Sequence, residues 1–139
     1  MIEYSDDVSR IGVEQLQGFF NGWPNAPSPE AHLRLLHDSS HAVVAIHRES
    51  NSVVGFVTAL TDGVLSAYVP LLEVLPAYRG NGIGTTLIKR VLDLLDGIYM
   101  VDLICDEHTQ PFYEKIGMRR ATGMMLRRYE HQRGRRLPL

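Results

Sequence analysis

The chain carries one cysteine, Cys105, among its 139 residues. No intrachain disulfide is open to it, so stability has to come from a packed core. That usage suits a reducing compartment. No apolar run exceeds strand length, which leaves no stretch for a membrane-spanning helix. The first residues, MIEYSDDV, lack the basic and apolar regions of a secretion signal. A cytoplasmic protein without a membrane partner is therefore expected. Neither sign of charge is in excess: 14 Lys and Arg stand against 16 Asp and Glu, a net charge of −2. No global basic field points to nucleic acid. The 6 histidines show no HExxH spacing and one cysteine makes no CxxC pair, so no metal site is expected. Internal repeats and low-complexity segments are also missing.

What is present is an ordinary globular composition, 45% apolar and 22% charged. The length fits one domain, read as residues 1–130, followed by a basic and mobile tail over 131–139. The local signals run β-α-α-β-β-β-α-β-α-β. A short strand covers 2–5. Asp6 or Asp7 caps a helix over about 8–20, with Ile11, Leu16, Phe19 and Phe20 on one face. Ser28-Pro29-Glu30 starts a second helix that stops near Asp38. Strands follow at 41–47, 53–60 and 64–75, with a hairpin turn at Thr61-Asp62-Gly63. Pro70 lies inside the third and predicts a bulge or break, because proline cannot donate to the ladder.

The stretch LLEVLP-AYRGNGIG-TTLIKRV, residues 71–91, organises the rest. A strand runs into a turn with glycines at 80, 82 and 84, then into a helix. Ile83, Leu87, Ile88, Val91, Leu92 and Leu95 form that helix's apolar stripe. A strand over 98–105, a short helix near 109–116 and one or two last strands within 118–129 complete the pattern. The helix between the strands ending at 75 and 105 predicts a parallel pair joined by a right-handed crossover. The expected fold class is α/β with a mixed sheet, mainly antiparallel, and helices packed on it.

A turn without Cβ atoms, leading into a helix N-terminus, reads as a cradle for a diphosphate. A P-loop is excluded, because Thr85-Thr86 follow Gly84 where lysine and serine or threonine are needed. A Rossmann turn fits poorly: the string is GxGxG, and it follows a β-meander rather than a first strand.

Arg79-Gly80-Asn81-Gly82-Ile83-Gly84 resembles the (Arg/Gln)-x-x-Gly-x-(Gly/Ala) signature of the GNAT superfamily, the GCN5-related N-acetyltransferases. Val74-Leu75-Pro76 is similar to that family's V-x-P strand end. Pro111-Phe112-Tyr113-Glu114-Lys115-Ile116-Gly117-Met118 is similar to its F-Y-x-K-x-G-F landmark, with Met118 in place of phenylalanine. The resemblance spans roughly residues 2–130. It implies an acyl-CoA N-acyltransferase fold in which the parallel pair splays apart. It implies acetyl-CoA as co-substrate, held by the backbone of Arg79, Gly80, Asn81, Gly82, Ile83, Gly84 and Thr85. Leu72 and Val74 would pair with the pantetheine arm. It further implies direct transfer of an acetyl group to the amine of a small molecule or a protein, and it is compatible with a homodimer. A CoA-binding regulatory module without chemistry is the alternative.

Acyl transfer to an amine needs a neutral amine, a polarised carbonyl and a protonated leaving thiolate. The family resemblance gives Tyr113 the role of general acid and the N–H of Val74 or its neighbour that of oxyanion donor. Glu73 is the candidate base, since a carboxylate in the apolar run LLEVL is costly unless solvated or paired. A structural partner for Glu73 is the competing reading. Asp106 is a second candidate base, set against a role as N-cap. Cys105 is read as a small buried hydrophobe rather than an acyl carrier. In the family the acceptor lies near what are here Phe19–Pro27, Tyr68–Pro70 and the last hairpin, with Phe20, Trp23 and Tyr68 as pocket candidates. Its identity stays open.

Overall fold

The computed structural model describes residues 1–135. Five strands form one sheet in the order β1-β2-β3-β4-β5: β1 Ile2–Ser5, β2 His41–His47, β3 Ser52–Thr61, β4 Ser66–Val74 and β5 Met100–Asp102. The first four are antiparallel neighbours, and only β4 and β5 run parallel. Helix α1, Pro29–Asp38, lies on one face, and α2, Ile83–Leu94, on the other. A third short helix, α3, covers Gln110–Glu114. No helix among the described residues is long and apolar enough to cross a membrane.

The sheet separates two apolar layers. On the α2 side, Leu87, Ile88 and Val91 pack on Val43, Val54 and Val57, all essentially inaccessible. Gly55 lets α2 come close: a Cβ there would meet Leu87 Cδ1 at 3.0 Å and Ile83 Cγ2 at 3.2 Å. On the α1 side, Leu16, Phe19, Phe20, Leu36 and Phe56 form the second layer. Helix α1 begins where its cap signals place it, with the Ser28 hydroxyl accepting the Ala31 N–H at 3.1 Å and proline at the first position.

The predicted helix over 8–20 does not form. A loop with a single 3₁₀ turn, Val13–Gln15, replaces it. Gly18 at φ +89° and Phe20 at φ +60° take backbone conformations a right-handed helix excludes. Gln15 ties the loop down, accepting the Gly12 N–H at 2.9 Å and donating to the Asn51 carbonyl at 2.9 Å. Its apolar residues Ile11, Leu16, Phe19 and Phe20 are nonetheless buried together.

Asp62 organises the β3–β4 turn. One carboxylate oxygen accepts the N–H groups of Val64, Leu65 and Ser66 at 2.8, 2.9 and 3.2 Å. Those bonds hold its pKa far below the usual carboxylate range. The bulge predicted at Pro70 is present. Thr58 faces Leu71 while Leu60 faces Tyr68, so Val69 and Pro70 together oppose Ala59. The last strands predicted within 118–129 are absent: residues 119–128 pair with nothing in the sheet and are exposed. The expected mobile tail is held at its start. The Asn25 N–H donates to Gln132 Oε1 at 2.8 Å, and Arg133 reaches Asn25 Oδ1 at 3.4 Å. Residues 136–139 of that tail lie outside the described residues.

Candidate active site

The parallel pair is short. β4 and β5 touch only where Ser66, Ala67 and Tyr68 face Met100, Val101 and Asp102. Beyond Tyr68, β4 continues to Val74 with β3 on one side and, among the described residues, no strand on the other. The direction of its free groups follows from one bond. The Leu75 N–H donates to Val54 O at 2.8 Å, toward β3. Backbone groups alternate along a strand, so the N–H groups of Leu72 and Val74 face the open edge. Their side chains pack with the α2 layer.

The glycine turn closes one end of this edge. Arg79 Nε donates to the Val74 carbonyl at 2.9 Å, folding the turn back on the strand end. The Asn81 side-chain amide donates to the carbonyls of Tyr78 and Arg79 at 3.1 and 3.3 Å. Gly80 and Gly82 stand at φ +82° and +80°, with open space where each Cβ would project. Only glycine takes this conformation without strain. The first helical bond of α2 runs from the Thr86 N–H to the Gly82 carbonyl at 3.1 Å. Six consecutive N–H groups, Gly80 to Thr85, therefore find no acceptor among the described residues. They sit at the positive end of a 12-residue helix with no side-chain cap. Such a set fits an anion, and beside it an open strand edge fits an extended amide-bearing chain. The residues present thus suit the diphosphate and pantetheine of CoA.

Gly84 joins the two sequence landmarks. A Cβ there would lie 3.6 Å from Phe112 Cζ and 3.8 Å from Val74 Cγ2. The glycine turn, the β4 end and α3 converge at that point. Phe112, which residue chemistry alone had not singled out, stacks edge-on against Tyr113 with ring centroids 4.9 Å apart. Tyr113 is half-buried against the α2-side core, and its hydroxyl has no hydrogen-bond partner among the described residues. Burial pushes its pKa up to about 12, with the nearby Cys105 thiol adding to the effect. Burial, and then the Asp106 carboxylate, push the Cys105 thiol up as well, which keeps it a poor nucleophile. Asp106 precedes a 3₁₀ turn, Glu107–Thr109. Its carbonyl, not its side chain, accepts the Thr109 N–H, so the capping bond expected of its carboxylate is not made.

Glu73 is paired. Its Oε1 accepts the Phe20 N–H at 2.8 Å and its Oε2 the Asn21 N–H at 3.2 Å. The carboxylate thus pins the loop in which Phe20 holds its positive φ. That loop carries Trp23, 40% exposed and stacked on Phe20 at 5.0 Å. Phe20 and Trp23 are therefore brought together, while Tyr68 lines a separate cleft with Ser40, Leu60, Thr61, Asp62 and Asp102. Beneath Phe20 lies His32, 1% exposed and enclosed by Phe19, Phe20 and Phe56. Neither ring nitrogen has a partner among the described residues, and desolvation pushes its pKa down to about 4.

The family model for the acetyltransferase (GNAT) family matches residues 10–118. The crystal structure of a candidate acetyltransferase from Deinococcus radiodurans R1 superposes with a TM-score of 0.93 at 46% identity, covering 96% of this chain and 92% of that one. A GNAT family acetyltransferase of Streptococcus pneumoniae TIGR4 gives a TM-score of 0.74 at 28% identity, covering 92% and 98%. The chloroplastic GCN5-related N-acetyltransferase 3 of Arabidopsis thaliana is 32% identical over 84 residues, 59% of this chain and 35% of that protein. The chain spans between 35% and 57% of the length of the curated relatives it matches.

Proposed function

The chain belongs to the GNAT acetyltransferase family, and on that premise we propose that it transfers an acetyl group directly from acetyl-CoA to a primary amine. The observation that carries this reading is the run of six unpaired N–H groups from Gly80 to Thr85 set beside the unpaired β4 edge. The turn from Arg79 to Thr85 would hold the diphosphate, and Leu72 and Val74 the pantetheine amides. Bound acetyl-CoA supplies the activated thioester, and the remaining chemistry falls to the chain.

The Val74 N–H, on the open edge, is the donor for the oxygen of the reacting carbonyl. Tyr113 keeps its proton near neutral pH, because burial pushes its pKa up to about 12. A free thiol titrates near about 8.5, so complete proton transfer from Tyr113 to a thiolate runs uphill. Its role is to donate a hydrogen bond to the sulfur as charge builds there. Glu73 uses two of a carboxylate's roughly four acceptor sites on Phe20 and Asn21. It retains capacity to take the amine proton through a water. Trp23, on the loop it pins and packed over the buried Phe20, offers an aromatic surface for the acceptor.

The test is release of free CoA thiol from acetyl-CoA by the purified protein, scored against small amines, polyamines, amino sugars and lysine peptides. Thiol release that depends on an amine is expected. Binding of CoA without turnover on any amine would favour a regulatory module, and failure to bind CoA would contradict both readings.

A further inference from the structure

The loop that carries Trp23 is tied at both ends. At its start the Glu73 carboxylate accepts the N–H groups of Phe20 and Asn21 at 2.8 and 3.2 Å. The Trp23 N–H then closes a turn on the Phe20 carbonyl at 3.1 Å. The far end is tied by a different part of the chain. The Asn25 N–H donates to Gln132 Oε1 at 2.8 Å, and Arg133 Nη2 donates to Asn25 Oδ1 at 3.4 Å. Pro24 and Pro27, on either side of Asn25, have no N–H to offer. From Gly22 to Pro27 no further hydrogen bond is made among the described residues. Gln132 therefore supplies the shortest bond that holds this half of the loop.

Gln132 also differs from its neighbours in the chain. From Arg119 to Arg135 every residue except Gln132 is exposed, and Gln132 and its partner Asn25 are both half-buried. Turns on both sides fix its backbone. The Gln132 N–H donates to the Tyr129 carbonyl at 3.1 Å, and the Gly134 N–H to the His131 carbonyl at 2.9 Å. Gly134 then passes the first turn of α1, where a Cβ on it would lie 3.9 Å from Ala31 Cβ. Trp23 stands between the two ties, packed on Phe20 yet 40% exposed. A side chain on a short loop fixed at both ends keeps its orientation, and releasing one end restores its freedom to swing. Resting on the acetyl-transfer reading above, in which Trp23 faces the acceptor, we propose that Gln132 is a positioning residue for the amine. Through Asn25 it holds the Trp23 loop in place and so raises affinity for the acceptor. Neither Gln132 nor Asn25 bonds to the glycine turn or to the β4 edge among the described residues, so affinity for acetyl-CoA is independent of it.

The test compares the wild-type chain with Gln132→Ala and Gln132→Glu, the second of which keeps an oxygen for the Asn25 N–H. Trp23 is the only tryptophan of the chain, so its emission reports on the loop alone. In Gln132→Ala that emission should move to longer wavelength and acrylamide quenching should rise. With the amine of the panel above that releases thiol fastest, the amine KM should increase about fivefold, the factor one ordinary hydrogen bond supports. The kcat and the KM for acetyl-CoA should stay unchanged, and Gln132→Glu should restore both the emission and the amine KM. Unchanged emission in a folded Gln132→Ala overturns the tie, whether or not an amine is turned over. Altered emission with an unaltered amine KM overturns the role in acceptor binding, and so does an equal rise in the KM for acetyl-CoA. A wild type that turns over no amine refutes the proposed function and this role with it, while the emission still decides the tie. Amide exchange of the wild type needs no variant: the Asn25 N–H should be protected, and free exchange there overturns the proposal.

Discussion

His32 makes folding stability depend on pH in a direction and size that follow from its surroundings. The ring is 1% exposed, packed among Phe19, Phe20 and Phe56, and neither nitrogen has a partner among the described residues. Desolvation lowers its pKa from 6.5 to about 4. The folded state therefore resists protonation while the unfolded chain accepts it. Between those two values the unfolded state binds more protons, so stability is complete above the unfolded pKa of 6.5 and is lost as pH falls toward about 4. At 1.36 kcal/mol per pKa unit, going from about pH 7.5 to about pH 5 costs about 2 kcal/mol, and the full loss below pH 4 is about 3 kcal/mol. The exposed carboxylates Asp7, Glu49 and Asp62 also have lowered pKa values. Their stabilising effect is present above the unfolded carboxylate values of 3.8 and 4.5 and is lost below them, mostly outside this window. The assay is urea unfolding of wild type and His32→Phe at the two pH values. Wild type should lose about 2 kcal/mol more than the variant. Equal losses in both proteins would refute the burial argument for His32.

Other outcomes follow from the same geometry. Tyr113→Phe should lower kcat by about 100-fold, the low end for general acids because the donor is poorly matched to a thiol, while acetyl-CoA affinity stays within about twofold. Steady-state kinetics check this, and unchanged turnover would remove Tyr113 from the reaction. Gly82→Asp puts a negative charge and an L side chain at φ +80°, so CoA titration calorimetry should detect no binding, and normal affinity in a folded variant would contradict the cradle. Glu73→Gln keeps one acceptor for the Phe20 loop and should cost about 1 kcal/mol in urea unfolding. The same change should reduce turnover at least about tenfold, because an amide takes no proton, and full turnover would restrict Glu73 to holding the loop.

Features set by a few neighbouring residues were readable in the sequence. Ser28-Pro29 starts α1, Pro70 marks a bulge, and glycines 80 and 82 mark a turn, because each acts on its own backbone. The parallel pair followed from the helix between its two strands. Features that depend on distant partners were not readable. The segment over 8–20 has a helical pattern of apolar residues, yet its course is dictated by Gln15 reaching Asn51 and by Glu73 reaching Phe20, 36 and 53 positions away. Glu73 stood out as a carboxylate in an apolar strand, but its two N–H partners could not be read from local sequence. Residues 119–128 have strand composition, and a strand needs a neighbour, which no described residue supplies. In the candidate site, the glycine turn was legible, whereas the contact of Phe112 with Gly84 required the fold.

On the proposed function, the backbone of residues 80–85 and the β4 edge at Leu72 and Val74 form one CoA site. Amide hydrogen exchange with and without acetyl-CoA tests it most directly. The expected result is new protection of the N–H groups of Gly80 to Thr85 and of Leu72 and Val74, with β2 unchanged. Protection confined to other segments, or none at saturating acetyl-CoA, would contradict it.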